Sequence, residues 1–224
     1  MPTFDVQTAR FNMIEQQIRP WDVLDTDVLE LLASVKREDF VPAESRAMAF
    51  VDTEVPLPSC TGPTQWMLAP RVEARLLQEL KLRRHERVLE IGTGSGFMAA
   101  LMGHQAQQVI SFEIDPDLAL FAQTNLTRAG LHNVTVRQGD GSKGCPDEAP
   151  FDAIVLSGSV AQVPQVLLDQ LKPGGRLVAI VGQLPVMVAT LYTKGADGSV
   201  GSTELFDTVA PRLSGFDEPS RFQF

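Results

Sequence analysis

Val88-Leu89-Glu90-Ile91-Gly92-Thr93-Gly94-Ser95-Gly96-Phe97 decides how this chain is read. A β-prone apolar run stops at three alternate glycines, and a stretch of helix length, residues 96–103, follows. The glycines let the backbone turn sharply and bring its N–H groups against a ligand with no Cβ in the way. In an open α/β sheet, a strand turning into a helix through such a loop is where ligands bind. Spacing separates the classes that use it. A dinucleotide fold asks for G-x-G-x-x-G, but counting from Gly92 the last place falls on Phe97 and glycine stands at Gly96 instead. A phosphate loop asks for lysine after its final glycine, and none follows this turn. The carboxylate of Glu90 beside the loop opposes a pyrophosphate and suits a cationic ligand, an ammonium or a sulfonium.

Outward from this turn the texture is regular. Short β-rich runs at residues 87–91, 108–113, 133–137, 152–156, 175–182 and 186–192 alternate with helix-length stretches at 116–129 and 163–171. The first five predict right-handed βαβ units and a mostly parallel, doubly wound sheet. Only residues 183–185 separate the fifth run from the sixth, which predicts an antiparallel hairpin, and residues 203–209 offer a seventh strand. Upstream the pattern is helical. Phe11, Ile14 and Ile18 repeat at helical spacing until Pro20, and Asp25 caps a helix carrying Val28, Leu31, Leu32 and Val35. Residues 43–50 form a further short helix. A loop at 55–69, with Pro56, Pro58, Gly62 and Pro63, leads to a helix opened by Pro70, with Val72, Leu76, Leu77 and Leu80 on its apolar face. The chain reads as one α/β domain: residues 1–80 form a helical cap that includes this loop, and residues 81–224 form the α/β core that carries the glycine turn.

Composition narrows the function. Of 224 residues, 44% are hydrophobic and 21% charged, which suits a packed globular chain and excludes disorder. A net charge of -9 opposes duplex nucleic acid and anionic lipid as partners. The basic run at residues 81–87 reads as a solvated helix end. No apolar run is long enough to span a bilayer, and the N-terminus lacks the apolar segment of a signal peptide, so a cytoplasmic location is expected. Cys60 and Cys145 read as two reduced thiols, and His85, His104 and His132 lack ligand spacing, so no metal is expected.

The spacing of Glu90 and the three glycines resembles motif I of class I S-adenosylmethionine-dependent methyltransferases. That resemblance implies a seven-stranded Rossmann-like methyltransferase sheet with S-adenosylmethionine as the cofactor. Glu113 ends the second strand, where an acidic side chain accepts the ribose hydroxyls. Asp140, in Gly139-Asp140-Gly141, falls where that fold places an acceptor for the adenine amine. The implied donor site comprises Glu90, Gly92, Thr93, Gly94, Ser95, Gly96, Glu113, Asp140, Gly141 and Ser157. The stretches RVLEIGTGSGFMAALM, GDGSKGCPDEAPFDAIVLSGS and LKPGGRLVAIVG, with Arg37-Glu38-Asp39-Phe40-Val41-Pro42 and Ala49-Phe50-Val51-Asp52 upstream, narrow the resemblance to the protein-L-isoaspartate O-methyltransferase family. It covers about residues 35–182 and implies methyl esterification of isoaspartyl carboxylates in a protein or peptide substrate.

Two segments depart from that family. Its loop G-Q-T-I-S-x-P is matched here by Thr64-Gln65-Trp66-Met67-Leu68-Ala69-Pro70, so Leu68 stands where the family has the serine that positions the acceptor carboxylate. A leucine can neither donate to a carboxylate nor orient it. The family's T-A-A-A-P after the fourth strand becomes Ser157-Gly158-Ser159-Val160-Ala161. Ser59, Thr61, Thr64, Gln65, Trp66 and Leu68 are the acceptor-loop candidates. Trp66 reads either as a lid over the loop or as a π-face toward the sulfonium or acceptor. A carboxylate acceptor, ionised at neutral pH, needs no general base. Three readings stay open: the isoaspartyl enzyme, a methyltransferase for another carboxylate, and a silent module that binds the donor and a partner. A nicotinamide oxidoreductase is disfavoured by the glycine spacing.

Overall fold

The computed structural model describes residues 5–59 and 64–218. Helix α1 (Val6–Met13) is capped by Asp5 and runs on through a π turn (Ile14–Ile18) and a 3-10 turn (Arg19–Trp21) that contains Pro20. The Asp25 side chain caps α2 (Thr26–Ser34) by accepting from the N–H groups of Asp27 and Val28, as its position predicts. Residues Ala43–Phe50 form 3-10 turns. The expected loop at 55–69 contains a small antiparallel ladder, β1 (Val55–Pro56) with β2 (Trp66–Met67), too short for any sequence pattern to reveal. Pro70 sits at the first turn of α3 (Pro70–Leu80), as expected.

The core alternates as predicted: β3 (Arg87–Ile91), α4 (Phe97–Gln105), β4 (Gln108–Glu113), α5 (Pro116–Arg128), β5 (Val134–Gln138), β6 (Phe151–Val160), α6 (Gln165–Asp169), β7 (Leu171–Gln183), β8 (Val186–Lys194) and β9 (Val200–Asp207). They form a seven-stranded sheet in the order β5-β4-β3-β6-β7-β8-β9, parallel up to β7 and antiparallel in the last two pairings. The expected helix at 163–171 shrinks to α6's five residues, because Pro164 stands at its N-cap and β7 already begins at Leu171.

Both sheet faces are covered, so the strands read as unbroken apolar runs. Val88, Val109, Val155 and Val178 pack on the face under the N-terminal helices, in a buried cluster that extends to Met13, Ile18 and Leu32. Their chain neighbours Leu89, Ile110, Ile154 and Leu177 pack on the opposite face. One contiguous cluster therefore joins the N-terminal helices to the sheet.

The strand order places the site. From β3 the chain winds outward to β4 and β5, then returns to place β6 on the other side of β3. This reversal opens a crevice beyond the carboxyl ends of β3 and β6, where ligands bind in open α/β sheets. The register of β6 against β7 shifts between Val155 and Ser159, and Ser157 lies in that irregularity at the crevice.

Candidate functional site

The turn after β3 takes the conformation that only glycine adopts without strain. Gly92, Gly94 and Gly96 have φ of 91°, 54° and 83°. The N–H groups of Gly92 and Thr93 both donate to the Phe112 carbonyl, at 2.8 and 3.2 Å. Gly96 opens α4 against α5: a Cβ there would lie 3.3 Å from Ala122 Cβ and Leu126 Cγ. Thr93 and Ser95 are buried and support the loop from beneath. Thr93 Oγ1 lies 2.6 Å from Ser111 Oγ, while Ser95 Oγ accepts from Phe97 N and the Ser95 carbonyl accepts from Asn125.

Glu90 is 0% exposed and does not line the crevice. Its carboxylate accepts from Ser111 Oγ at 2.5 Å and Ser157 Oγ at 2.7 Å, tying β3 to both neighbouring strands. Burial pushes its pKa up to about 7; the two hydroxyls oppose the rise and Glu113 adds to it. Near neutral pH a large share of Glu90 is therefore uncharged. Its influence on a cationic ligand passes through Ser157 and the loop, not through contact.

Glu113 lies at the crevice wall. Its Oε2 accepts from Gly94 N at 2.8 Å and its Oε1 from Asp115 N at 3.0 Å. Burial raises its pKa, while these two N–H groups hold the carboxylate form. Each oxygen keeps a lone pair for a further donor. Gly139 and Gly141 line the crevice beside it, while Asp140 is exposed at the edge and accepts from Ser142 N at 2.8 Å.

On the acceptor side, Gln65 and Trp66 line both the crevice and a second, larger groove of about 1580 Å³, and Thr64 lines the groove alone. Trp66 is 42% exposed, at the rim of both cavities. Leu68 is 5% exposed, packs in the core and lines neither cavity. Its carbonyl accepts from Arg37, whose guanidinium also donates to Ala49 O. Ser59 Oγ donates to Asp115 Oδ2 at 2.5 Å, which fixes the start of the loop to the cap of α5. Cys60 and Thr61 lie outside the described residues.

Sequence reasoning missed one component of the site. Residues 211–216, far along the chain, cross the mouth of the crevice as a strap. The strap is pinned to the end of β6: Ser159 N donates to Pro211 O at 2.7 Å and Leu213 N to Ser159 O at 2.9 Å. Leu213 rests on the bare backbone of Gly92 and Gly158, where added Cβ atoms would lie 2.6 and 2.8 Å from its Cδ2. Gly215 brings the strap against Asp140. Phe216 packs against the cluster of Leu89, Ile110, Ile154 and Leu177, while Phe222 and Phe224 lie outside the described residues.

The residues present fit S-adenosylmethionine in their chemistry: a glycine turn, a buried carboxylate with spare lone pairs, and apolar walls from Ile91, Phe112 and Leu118. The room beneath the strap is about 50 Å³. Pockets for small molecules run to roughly 300–1,000 Å³, so the strap, with Leu213 against Gly92, leaves the crevice narrow. Among the described residues, no three His, Cys, Asp or Glu side chains form a group that could hold a metal ion. No helix among them is long and apolar enough to cross a membrane.

Comparison with known proteins extends the picture. A protein-L-isoaspartate O-methyltransferase of Syntrophobacter fumaroxidans is 39% identical over 207 residues, covering 91% of this chain and 95% of the relative. One from Myxococcus xanthus is 46% identical over 160 residues, covering 71% and 74%. The fold matches a solved protein-L-isoaspartate O-methyltransferase with a TM-score of 0.80 at 23% identity, covering 94% of this chain and 66% of that one. It also matches a Plasmodium falciparum structure described under the same enzyme name, in complex with S-adenosyl-L-homocysteine, with a TM-score of 0.74 at 23% identity, covering 95% and 99%. The model of the protein-L-isoaspartate(D-aspartate) O-methyltransferase family matches residues 9–209. With nine-tenths of its length accounted for in this way, the chain belongs to that family.

Proposed function

We propose that this protein transfers the methyl group of S-adenosylmethionine to the free carboxylate of an isoaspartyl residue in a protein or peptide. The observation that carries this reading is the pairing of the Gly92–Gly94–Gly96 turn with the Glu113 carboxylate at the switch point between β3 and β6. When bound, the donor supplies a methyl carbon already activated by a sulfonium. The chain's own residues bind, align and exclude water. Glu113 takes the ribose hydroxyls on its remaining lone pairs, and Asp140 with Gly141 flanks the adenine. Ser157 and the backbone of Gly92 and Gly94 face the rest of the nucleoside. Glu90, Thr93, Ser95 and Gly96 hold the turn in shape.

The acceptor side supports a carboxylate. Around the two cavities the described side chains include no histidine or lysine to act as a base. A carboxylate is ionised at neutral pH and attacks without one. The helical cap, residues 1–80, and the core, residues 81–224, share one buried cluster, which supports their acting as a single unit. The acidic charge supports a protein-directed role over a nucleic-acid or membrane-surface role.

Tritiated methyl transfer tests the reading, using an isoaspartyl peptide and its ordinary aspartyl isomer. The expected result is base-labile label on the isoaspartyl peptide alone. Donor binding with no label on either peptide would replace this reading with another acceptor or a silent module.

A further inference from the structure

Leu68 is buried in the core and lines neither cavity, so the family's serine position offers an acceptor nothing here. Thr64, Gln65 and Trp66 present only neutral groups, and Glu54 and Glu218 on the groove wall repel an anion. Arg212 is the only cationic side chain among the described residues lining either cavity, and it lines both. We propose that Arg212 is the acceptor-binding residue of this chain, gripping the substrate carboxylate where the donor crevice meets the larger groove. The proposal rests on the carboxylate-methylating function just given.

The guanidinium is held ready and only partly used. Its Nη2 donates to the Gly182 carbonyl at 3.0 Å, which anchors it to the end of β7. Its Nε pairs with Glu218 Oε1 at 2.8 Å, and Nη1 is buried with no hydrogen-bond partner. A buried guanidinium nitrogen left without an acceptor is costly, so Arg212 has hydrogen-bonding capacity to spare. Glu218 is half exposed, so it holds Arg212 weakly and can be displaced. It is a carboxylate from the chain's own tail, resting where the substrate's would sit. On reaction a carboxylate oxygen bonds to the methyl carbon as the carbon–sulfur bond breaks. The products are a neutral methyl ester and S-adenosylhomocysteine, and no proton moves. The ester has lost the charge that Arg212 holds, so the same residue that captures the substrate releases the product.

The test is equilibrium binding of a dye-labelled isoaspartyl peptide, and of its methyl ester, to the full chain saturated with S-adenosylhomocysteine. Wild type is expected to bind the free carboxylate about tenfold or more tighter than the ester. Arg212→Met erases that preference, Arg212→Lys keeps part of it, and Glu218→Gln strengthens binding of the free carboxylate. A merely structural arginine would leave the ratio between carboxylate and ester unchanged, so an Arg212→Met protein that still prefers the carboxylate overturns the proposal. A wild type without preference overturns it too. Loss of the donor-site reading would instead appear as failure to take up S-adenosylhomocysteine in the loading step.

Discussion

Glu113 and Glu90 are both acidic residues near the ends of central strands, yet the structure gives them opposite tasks. Glu113 keeps lone pairs facing the crevice, whereas Glu90 spends its oxygens on Ser111 and Ser157. Glu113→Ala is expected to weaken S-adenosylhomocysteine binding by about ten- to a hundredfold, the worth of charge-assisted hydrogen bonds, with unchanged circular dichroism. Asp140→Ala, at the exposed edge, should weaken it less. Glu90 shows itself in stability instead. Its pKa stands at about 7 and that of the buried Glu73 at about 8, both raised chiefly by burial. A carboxyl whose folded pKa exceeds its unfolded one stabilises fully below the unfolded value and loses that contribution as pH rises through the folded value. Urea unfolding across about pH 4.5 to 8 should therefore show stability falling, and Glu90→Gln should flatten that fall. An unflattened profile would contradict the buried, serine-held carboxyl. The glycines and Glu113 are legible in sequence because spacing alone places them at a strand end. The inward aim of Glu90 is not, because it depends on serines 21 and 67 residues away.

Among the elements, the strands were legible because a parallel sheet buried on both faces needs continuous apolar runs. The two-residue β1–β2 ladder and the strap were not: neither has a hydrophobic period, and the strap is defined by contacts to Gly92, Ser159 and Asp140. The strap is the element that narrows the crevice, with Leu213 over Gly92. Leu213→Ala removes the methyl groups resting on Gly92, and calorimetry should then show S-adenosylhomocysteine binding tighter by roughly three- to tenfold, about 1 kcal/mol. Weaker binding would mean that Leu213 packs on the nucleoside and does not exclude it. Arg37 plays the corresponding part in the cap. Only 2% exposed, it donates to the carbonyls of Ala49 and Leu68 and lies 3.9 Å from Glu73. Arg37→Met should cost about 2–5 kcal/mol in urea unfolding, because it leaves the Ala49 and Leu68 carbonyls unpaired in the core. A loss under 1 kcal/mol would contradict its role as a strut.

In the molecule as a whole, one reversal of strand order sets the crevice, the cap covers one face, and the C-terminal strap returns across the mouth. The fold, and the glycine turn with Glu113 beside it, follow from local spacing and could be read directly. The proposed acceptor side draws on Gln65, Trp66 and Arg212, which line both cavities from distant parts of the chain, and only the tertiary structure unites them. Everything rests on the ligand of the crevice being a sulfonium nucleoside. Calorimetric titration of the wild-type chain with S-adenosylhomocysteine and, separately, with NAD tests this most directly. The account predicts saturable one-to-one binding of S-adenosylhomocysteine and no heat from NAD. Saturable NAD binding, with S-adenosylhomocysteine silent, would contradict it.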